Sequence, residues 1–174
     1  MSRKLMFIPL ILILAVCAML LLGLQQDPKK IASALIGKPV PEFSQADLFN
    51  PTKQLSNQNL PNEVFLINVW GSWCEYCKQE HPILMELAQQ GIKIVGLNYR
   101  DKPQSAVAML ERMGNPFVLV VNDSKGTLAM KLGVDGAPET YIVDKHGVIR
   151  YRHSGAFDPE LVQKVILPEL AKWK

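Results

Sequence analysis

Cysteine and histidine are both scarce in this chain, with three of each among 174 residues. A scaffold stapled by many disulfides is thereby excluded, because such scaffolds are dense in paired cysteines. A closed zinc site is poorly supplied as well. It needs four thiolate or imidazole ligands, and the only imidazoles are those of His81, His146 and His153. A basic surplus is lacking once position is considered. Arg3, Lys4, Lys29 and Lys30 flank one apolar run, with Asp27 the sole acid there. Setting those five aside leaves 15 basic and 15 acidic residues from totals of 19 and 16. The net charge of +3 is therefore a flank effect and gives no footing for nucleic-acid binding. Nor is there an internal repeat, or a low-complexity tract outside the apolar run.

That run covers residues 5–24, twenty consecutive uncharged positions. A helix of about 20 residues spans a hydrocarbon core of about 30 Å. Arg3 and Lys4 before it place the N-terminus in the cytoplasm by the positive-inside rule; Lys29 and Lys30 weaken the asymmetry, and Asp27 partly offsets them. A cleaved signal peptide would have an apolar core of about 7–15 residues and a small-residue cleavage site. The exit Leu22-Gly23-Leu24-Gln25-Gln26 has no such site, and Val16 before Cys17 is too bulky for lipoprotein processing. The expected organisation is a cytoplasmic N-terminus (1–4), a transmembrane signal anchor (5–24), a linker (25–36) and one domain (37–174). The residues beyond the anchor suffice for one packed domain and not for two.

Val64-Phe65-Leu66-Ile67-Asn68-Val69-Trp70 is rich in β-branched and aromatic residues and predicts a buried central strand. A helix is expected over about residues 75–90, with Ile83, Leu84 and Leu87 at helical spacing, Pro82 as a kink and Gly91 closing it. Residues 92–98 read as a second strand, 104–113 as a helix ended by Gly114, and 117–121 as a third strand. A turn at Asp123-Ser124-Lys125-Gly126 feeds a short helix to Leu132. Strands over 140–143 and 148–152 flank the hairpin connection Asp144-Lys145-His146-Gly147, and Asp158-Pro159-Glu160 caps a last helix. This alternation predicts an α/β fold with a mixed β-sheet flanked by helices.

The most telling segment is Trp73-Cys74-Glu75-Tyr76-Cys77. Two thiols three positions apart at a helix start can close a small disulfide ring. Unpaired backbone N–H groups and the macrodipole favour the thiolate of the first. Cys17 lies in the apolar run, so thiol chemistry outside a membrane falls to Cys74 and Cys77. A redox dithiol is the leading reading; a static disulfide or half of a zinc site are the alternatives.

Strand, tight turn, Trp-Cys-x-x-Cys and helix together resemble the thioredoxin-fold family. The resemblance sharpens over Asn68-Val69-Trp70-Gly71-Ser72-Trp73-Cys74, over Gly133-Val134-Asp135-Gly136-Ala137-Pro138-Glu139-Thr140 and over Ile149-Arg150-Tyr151-Arg152-His153. With Gly37-Lys38-Pro39-Val40-Pro41-Glu42-Phe43 and the apolar N-terminus, these segments are similar to the membrane-tethered oxidoreductases of cytochrome c maturation, the CcmG/DsbE type. The likeness covers nearly the whole chain. It implies a thioredoxin-like fold preceded by one transmembrane helix, with Cys74 as the exposed nucleophile and Cys77 resolving the mixed disulfide. It implies Glu80 and Glu139 as proton-exchanging acids, needed because Asn68 stands where general thioredoxins carry a titratable aspartate. Surface charge for Glu80 and a structural hydrogen bond for Glu139 are the alternatives. It also implies a cis Ala137–Pro138 peptide facing the dithiol. Ala137 would offer its backbone to an extended substrate, and Trp73 and Tyr76 would line the same groove. Trp70 is expected in the core, His81 in packing or at the surface, and the 99–102 and 151–153 stretches as solvated faces. Glu75 departs from the family, where proline is common after the first cysteine. Its carboxylate either opposes the Cys74 thiolate or is a solvated acid in a first helical turn.

No cofactor beyond the Cys74–Cys77 pair and no metal is expected. The resemblance implies a single-pass protein of the bacterial inner membrane with a monomeric C-terminal domain in the periplasm. That domain would reduce apocytochrome c or a cytochrome-maturation thiol protein, and a transmembrane thiol reductant would recharge it. Two rivals stay open: a general envelope thioredoxin-like oxidoreductase, and a copper chaperone on the same fold. The two-residue spacing counts against the chaperone, which typically uses Cys-x-x-x-Cys with a distant histidine.

Overall fold

The computed structural model describes residues 35–174 and five helical positions at 9, 12, 13, 16 and 19. The expected cytoplasmic N-terminus, the expected linker up to residue 34, and the anchor apart from those five positions lie outside the described residues. Among the described residues no helix is long and apolar enough to cross a membrane. The chain divides into two units, Met1–Ile31 and Ala32–Lys174, and every element below belongs to the second.

In chain order the elements begin with β1 (Ser44–Ala46), β2 (Gln54–Ser56), β3 (Phe65–Trp70), α1 (Glu75–Gln89), β4 (Lys93–Tyr99) and α2 (Pro103–Met113). They continue with β5 (Leu119–Asp123), α3 (Thr127–Leu132), β6 (Glu139–Val143) and β7 (Ile149–Ser154). The chain ends in α4 (Pro159–Leu161), a π-helical turn Val162–Ile166 and α5 (Leu167–Lys172). Five strands form one mixed sheet in the order β5-β4-β3-β6-β7, parallel from β3 to β5 and antiparallel across β6 and β7.

All six residues of β3 are buried, as a central strand covered on both faces requires. Side chains alternate between faces. Leu66 and Trp70 pack with Leu84 and Leu87 of α1, Met109 of α2 and Ile166 and Leu170 of the C-terminal helices. Phe65, Ile67 and Val69 pack on the opposite face with Leu128 and Leu132 of α3, Leu55 of β2 and Tyr141 of β6. Asn68 shares the α1 face and is the polar exception in the strand, with no exposed surface.

Two elements differ from the sequence reading. The third strand runs over Leu119–Asp123 rather than 117–121. Its extension has a physical cause. The Asp123 carboxylate accepts the N–H groups of Thr127, Leu128 and Ala129 at 2.8, 3.2 and 2.8 Å, satisfying donors that α3 leaves open. Phe117 instead stacks on Trp70 with ring centroids 5.4 Å apart. The β1–β2 hairpin has no counterpart in the sequence reading, because two three-residue strands are too short for a period to register.

Candidate active site

Cys74 is the N-cap of α1. Its backbone is extended, and its Sγ accepts the N–H of Cys77 at 3.1 Å, one of the donors a helix start leaves unpaired. A disulfide joins Cys74 to Cys77, with Cα atoms 5.3 Å apart. The two residues are 4% and 2% exposed. The expected exposure of Cys74 is thus corrected: the closed ring tucks it into the apolar cluster that holds Trp70 and Phe157. The surface beside it belongs to Trp73, 54% exposed, and Tyr76, 65% exposed. Glu75 points to solvent and pairs with Lys78 at 3.1 Å, so a cation accompanies the carboxylate that follows Cys74 in the chain.

The turn that delivers Cys74 is held by Asp101, a residue that sequence reading had placed on a solvated face. Its carboxylate accepts the Ser72 N–H at 2.6 Å, the Ser72 hydroxyl at 2.8 Å, the Asn98 amide at 3.0 Å and the Lys102 N–H at 2.8 Å. Trp73 adds an indole N–H to the Tyr99 carbonyl at 3.2 Å. Gly71 is required beneath that ring, since a Cβ there would lie 2.4 Å from the Trp73 Nε1. Asp101→Ala should therefore destabilise the domain by about 1–3 kcal/mol, the scale of lost bonds to a charged acceptor. Denaturant unfolding of the oxidised protein reads this directly.

Glu80 has no exposed surface although it stands on a helix. One carboxylate oxygen accepts the Asn68 amide at 2.9 Å and the other accepts the Phe157 N–H at 2.9 Å. Burial pushes its pKa up to about 7, while those two hydrogen bonds pull in the other direction. Asn68 also donates to the Thr140 hydroxyl at 3.0 Å, and its Oδ1 is buried without a partner. Glu80 lies three residues beyond Cys77 on α1, the spacing at which helical side chains are neighbours. Surface charge is therefore not its role. His81 packs in the core and donates its Nε2–H to the Gly114 carbonyl at 3.0 Å; burial lowers its pKa.

Glu139 lies elsewhere. It pairs with Val69 in the sheet register, on the face opposite Asn68 and α1. Its carboxylate accepts Arg152 Nε at 2.9 Å and Nη2 at 2.8 Å, and also the Tyr141 hydroxyl. The two acids thus take opposite faces of the sheet, Glu80 the α1 face with Asn68 and Glu139 the other. Strand alternation sends Thr140 toward Asn68 and Glu139 away from it. Arg152, read from sequence as solvated, has a side chain only 7% exposed. Sequence reading missed this network because a lone arginine in a polar strand carries no periodic signal.

The Ala137–Pro138 peptide is cis. Ala137 packs against the cluster that contains Cys74 and Cys77, and the Pro138 carbonyl accepts the Gly155 N–H at 2.9 Å. Among the described residues, no group of three or more His, Cys, Asp or Glu side chains is arranged to hold a metal ion.

The redoxin family profile matches residues 35–166. Thiol:disulfide interchange proteins named DsbE align over nearly the whole chain. The protein of Escherichia coli (strain K12) is 44% identical over 179 aligned positions, covering 99% of this chain and 97% of the relative. The DsbE-2 protein of Pasteurella multocida (strain Pm70) is 64% identical over 166, covering 95% and 88%. The chain belongs to the DsbE-type redoxins. A solved secreted thiol-disulfide isomerase from Corynebacterium glutamicum superposes on this redoxin with a TM-score of 0.65 at 23% identity, over 76% of this chain and 85% of the other. The domain therefore has the thioredoxin-like α/β fold. This DsbE-type redoxin is a thiol–disulfide oxidoreductase whose redox centre is the Cys74–Cys77 pair.

Proposed function

We propose that this DsbE-type redoxin is a membrane-anchored periplasmic reductant in the maturation of c-type cytochromes. The observation that carries this reading is the Cys74–Cys77 disulfide at the N-terminus of α1, next to an Ala137–Pro138 loop whose backbone suits an extended substrate. In the reduced protein the Cys74 thiolate attacks one sulfur of a substrate disulfide. A Cys74–substrate S–S bond forms, and the other substrate sulfur leaves as a thiolate and takes up a proton. Cys77 then gives up its proton, its thiolate attacks Cys74 Sγ, and the second substrate thiol departs. Two electrons pass to the substrate, leaving the Cys74–Cys77 disulfide; the first departing thiolate takes its proton from solvent, and the second takes the one released by Cys77. Glu80 takes the Cys77 proton in this scheme, because a carboxyl titrating near 7 exchanges protons readily at neutral pH.

The substrate is the haem-attachment cysteine pair of apocytochrome c, or a partner thiol protein that carries it. A transmembrane dithiol carrier returns two electrons to Cys74–Cys77. The apolar run at residues 5–24 supplies the anchor, and the preceding Arg3 and Lys4 orient the domain into the periplasm. Trp73 and Tyr76 give the substrate an exposed aromatic wall beside the sulfur.

The test is trapping. In a Cys77→Ser variant expressed in the bacterial envelope, Cys74 attacks but nothing resolves the adduct. Mixed disulfides with apocytochrome c or maturation thiol proteins are expected in non-reducing gels and absent from a Cys74→Ser/Cys77→Ser control. A broad set of unrelated adducts would replace this reading with that of a general envelope oxidoreductase.

A further inference from the structure

Three cations adjoin the turn that delivers Cys74, and none of them is balanced by an acid. Among the described residues, no ion pair engages Arg100, Lys102 or Lys125, and all three are exposed. Arg100 and Lys102 flank Asp101, whose carboxylate holds Ser72. Lys125 belongs to the neighbouring turn, where the Arg100 N–H donates to the Asp123 carbonyl at 3.1 Å. The two acids of this region face inward. Asp123 has no exposed surface and caps α3, and Asp101 is taken up by four donors.

Arg100 is fixed in place. Its φ is +46°, a left-handed value found at no other non-glycine position among the described residues. A long side chain adopts that conformation at a cost, and it persists only where the surroundings impose it. The guanidinium carbon lies 5.3 Å from the centroid of the Tyr99 ring, and Trp73 lies 6.4 Å from the same ring. Gly126 leaves the room for this, since a Cβ there would lie 2.9 Å from Arg100 Nε. By these contacts the guanidinium is within about 12 Å of the Trp73 ring, a span that three or four residues of extended peptide cover.

We infer that Arg100, Lys102 and Lys125 form a docking ledge for a partner that carries acidic residues on one side of its reactive cysteine. The inference deepens the reductant reading above and rests on Cys74 as the attacking sulfur. A carboxylate three or four residues from the partner's cysteine meets the ledge as the peptide passes Trp73. Unbalanced cations at the rim of a site speed the encounter with an acidic partner and disfavour a basic one. A guanidinium already seated on a ring loses little freedom when a carboxylate arrives, and it offers that group a fork of N–H donors. At the start of α1, by contrast, Glu75 already balances Lys78, so the positive surplus belongs to the Trp73–Tyr99 side.

The test uses the reduced full chain in an uncharged detergent. Its substrates are peptides with one cysteine, held as the mixed disulfide with mercaptoethanol. One peptide has Asp-Glu three and four positions before the cysteine, one has the same pair after it, and one has Gln-Gln. Hydroxyethyl disulfide, short and uncharged, is the reference. One acidic peptide should exceed the neutral one about five- to tenfold in kcat/KM at about 20 mM salt, and by less than about twofold at about 0.5 M. In Arg100→Gln/Lys102→Gln/Lys125→Gln that gain should vanish while the hydroxyethyl disulfide rate stays with the wild type. Arg100→Glu should shift the preference toward a Lys-Lys peptide. Equal wild-type rates for acidic and neutral peptides overturn the ledge. So does an equal gain for both acidic peptides, or a gain that survives the triple substitution. If hydroxyethyl disulfide is not reduced either, the reading of Cys74 as the attacking sulfur fails first, and the ledge fails with it.

Discussion

Replacing Cys74 with serine is expected to reduce disulfide exchange by a factor on the order of 10³–10⁶, the scale on which loss of an enzyme nucleophile is felt. A hydroxyl at the α1 N-cap still accepts the Cys77 N–H, so the helix start survives. What disappears is the thiolate. Sulfur at this position faces backbone N–H donors and the positive end of the helix, both of which favour the anion. A serine hydroxyl has no comparable access to its anion at neutral pH. Cys77 does not substitute, since it sits inside the first turn of α1, past the N-cap position where the unpaired N–H groups favour a thiolate. Insulin reduction or reduction of a disulfide peptide measures the loss. Residual turnover above about a hundredth of the wild-type rate would show that Cys74 is not the attacking group.

Glu80→Gln is the second large effect, and it has two readouts with different pH dependence. The folded protein holds the Glu80 proton up to about pH 7, against 4.5 for an unperturbed carboxyl. Between those values the folded state binds more protons than the unfolded one, so stability falls as pH rises through the window. The favourable contribution is complete below pH 4.5 and gone above pH 7. At 1.36 kcal/mol per unit the change is about 3 kcal/mol. Glutamine keeps an acceptor for the Phe157 N–H, and with the Asn68 amide turned over, its NH2 donates to Asn68 Oδ1 where Glu80 now accepts from Nδ2. The variant should therefore match the wild type near pH 4.5 and exceed it by about 3 kcal/mol at pH 8, in denaturant titrations of the oxidised form. His81 has a lowered pKa and acts with the opposite sign, but it is present in both proteins and cancels in the difference. Activity should move the other way. Loss of a proton acceptor beside Cys77 should slow resolution of the mixed disulfide by about 10²-fold at pH 7, the lower range of general-base effects. A stabilised variant with wild-type turnover would make Glu80 a buried structural acid only.

These two effects show how stability and function conflict at one residue. An ionisable group buried at 0% exposure costs stability at neutral pH, and glutamine would relieve it. On the proposed role, the carboxyl is retained because a proton has to leave Cys77 and Asn68 cannot take it.

Much of the site was legible because its signals are local. The thiol spacing, the strand preceding it, Pro138 ahead of a β-run and the capping Asp158 each depend on residues within a few positions of one another. That Glu80 stands about one helical turn beyond Cys77 was legible for the same reason, since helical spacing sets it. The face that Glu139 takes was not legible, because adjacency to Pro138 in the chain says nothing about which side of the sheet its side chain occupies. Asp101 and Arg152 were misread as solvated because each gains its partners from distant segments, 29 residues away for Asp101 with Ser72 and 13 for Arg152 with Glu139.

The amino-acid sequence by itself determined the α/β alternation, the dithiol at a helix start and the family to which the chain belongs. The first two rest on periodicity, capping and spacing, which are short-range properties of the chain, and the third on the likeness of its motifs to those of the family. Only the tertiary structure decided which acids share a face with the sulfurs, how deeply Cys74 is covered in the disulfide form, and what holds the two loops that meet at the dithiol. Those are set by strand register and by burial, through which a one-residue step reverses the direction of a side chain and the loss of water shifts its proton affinity.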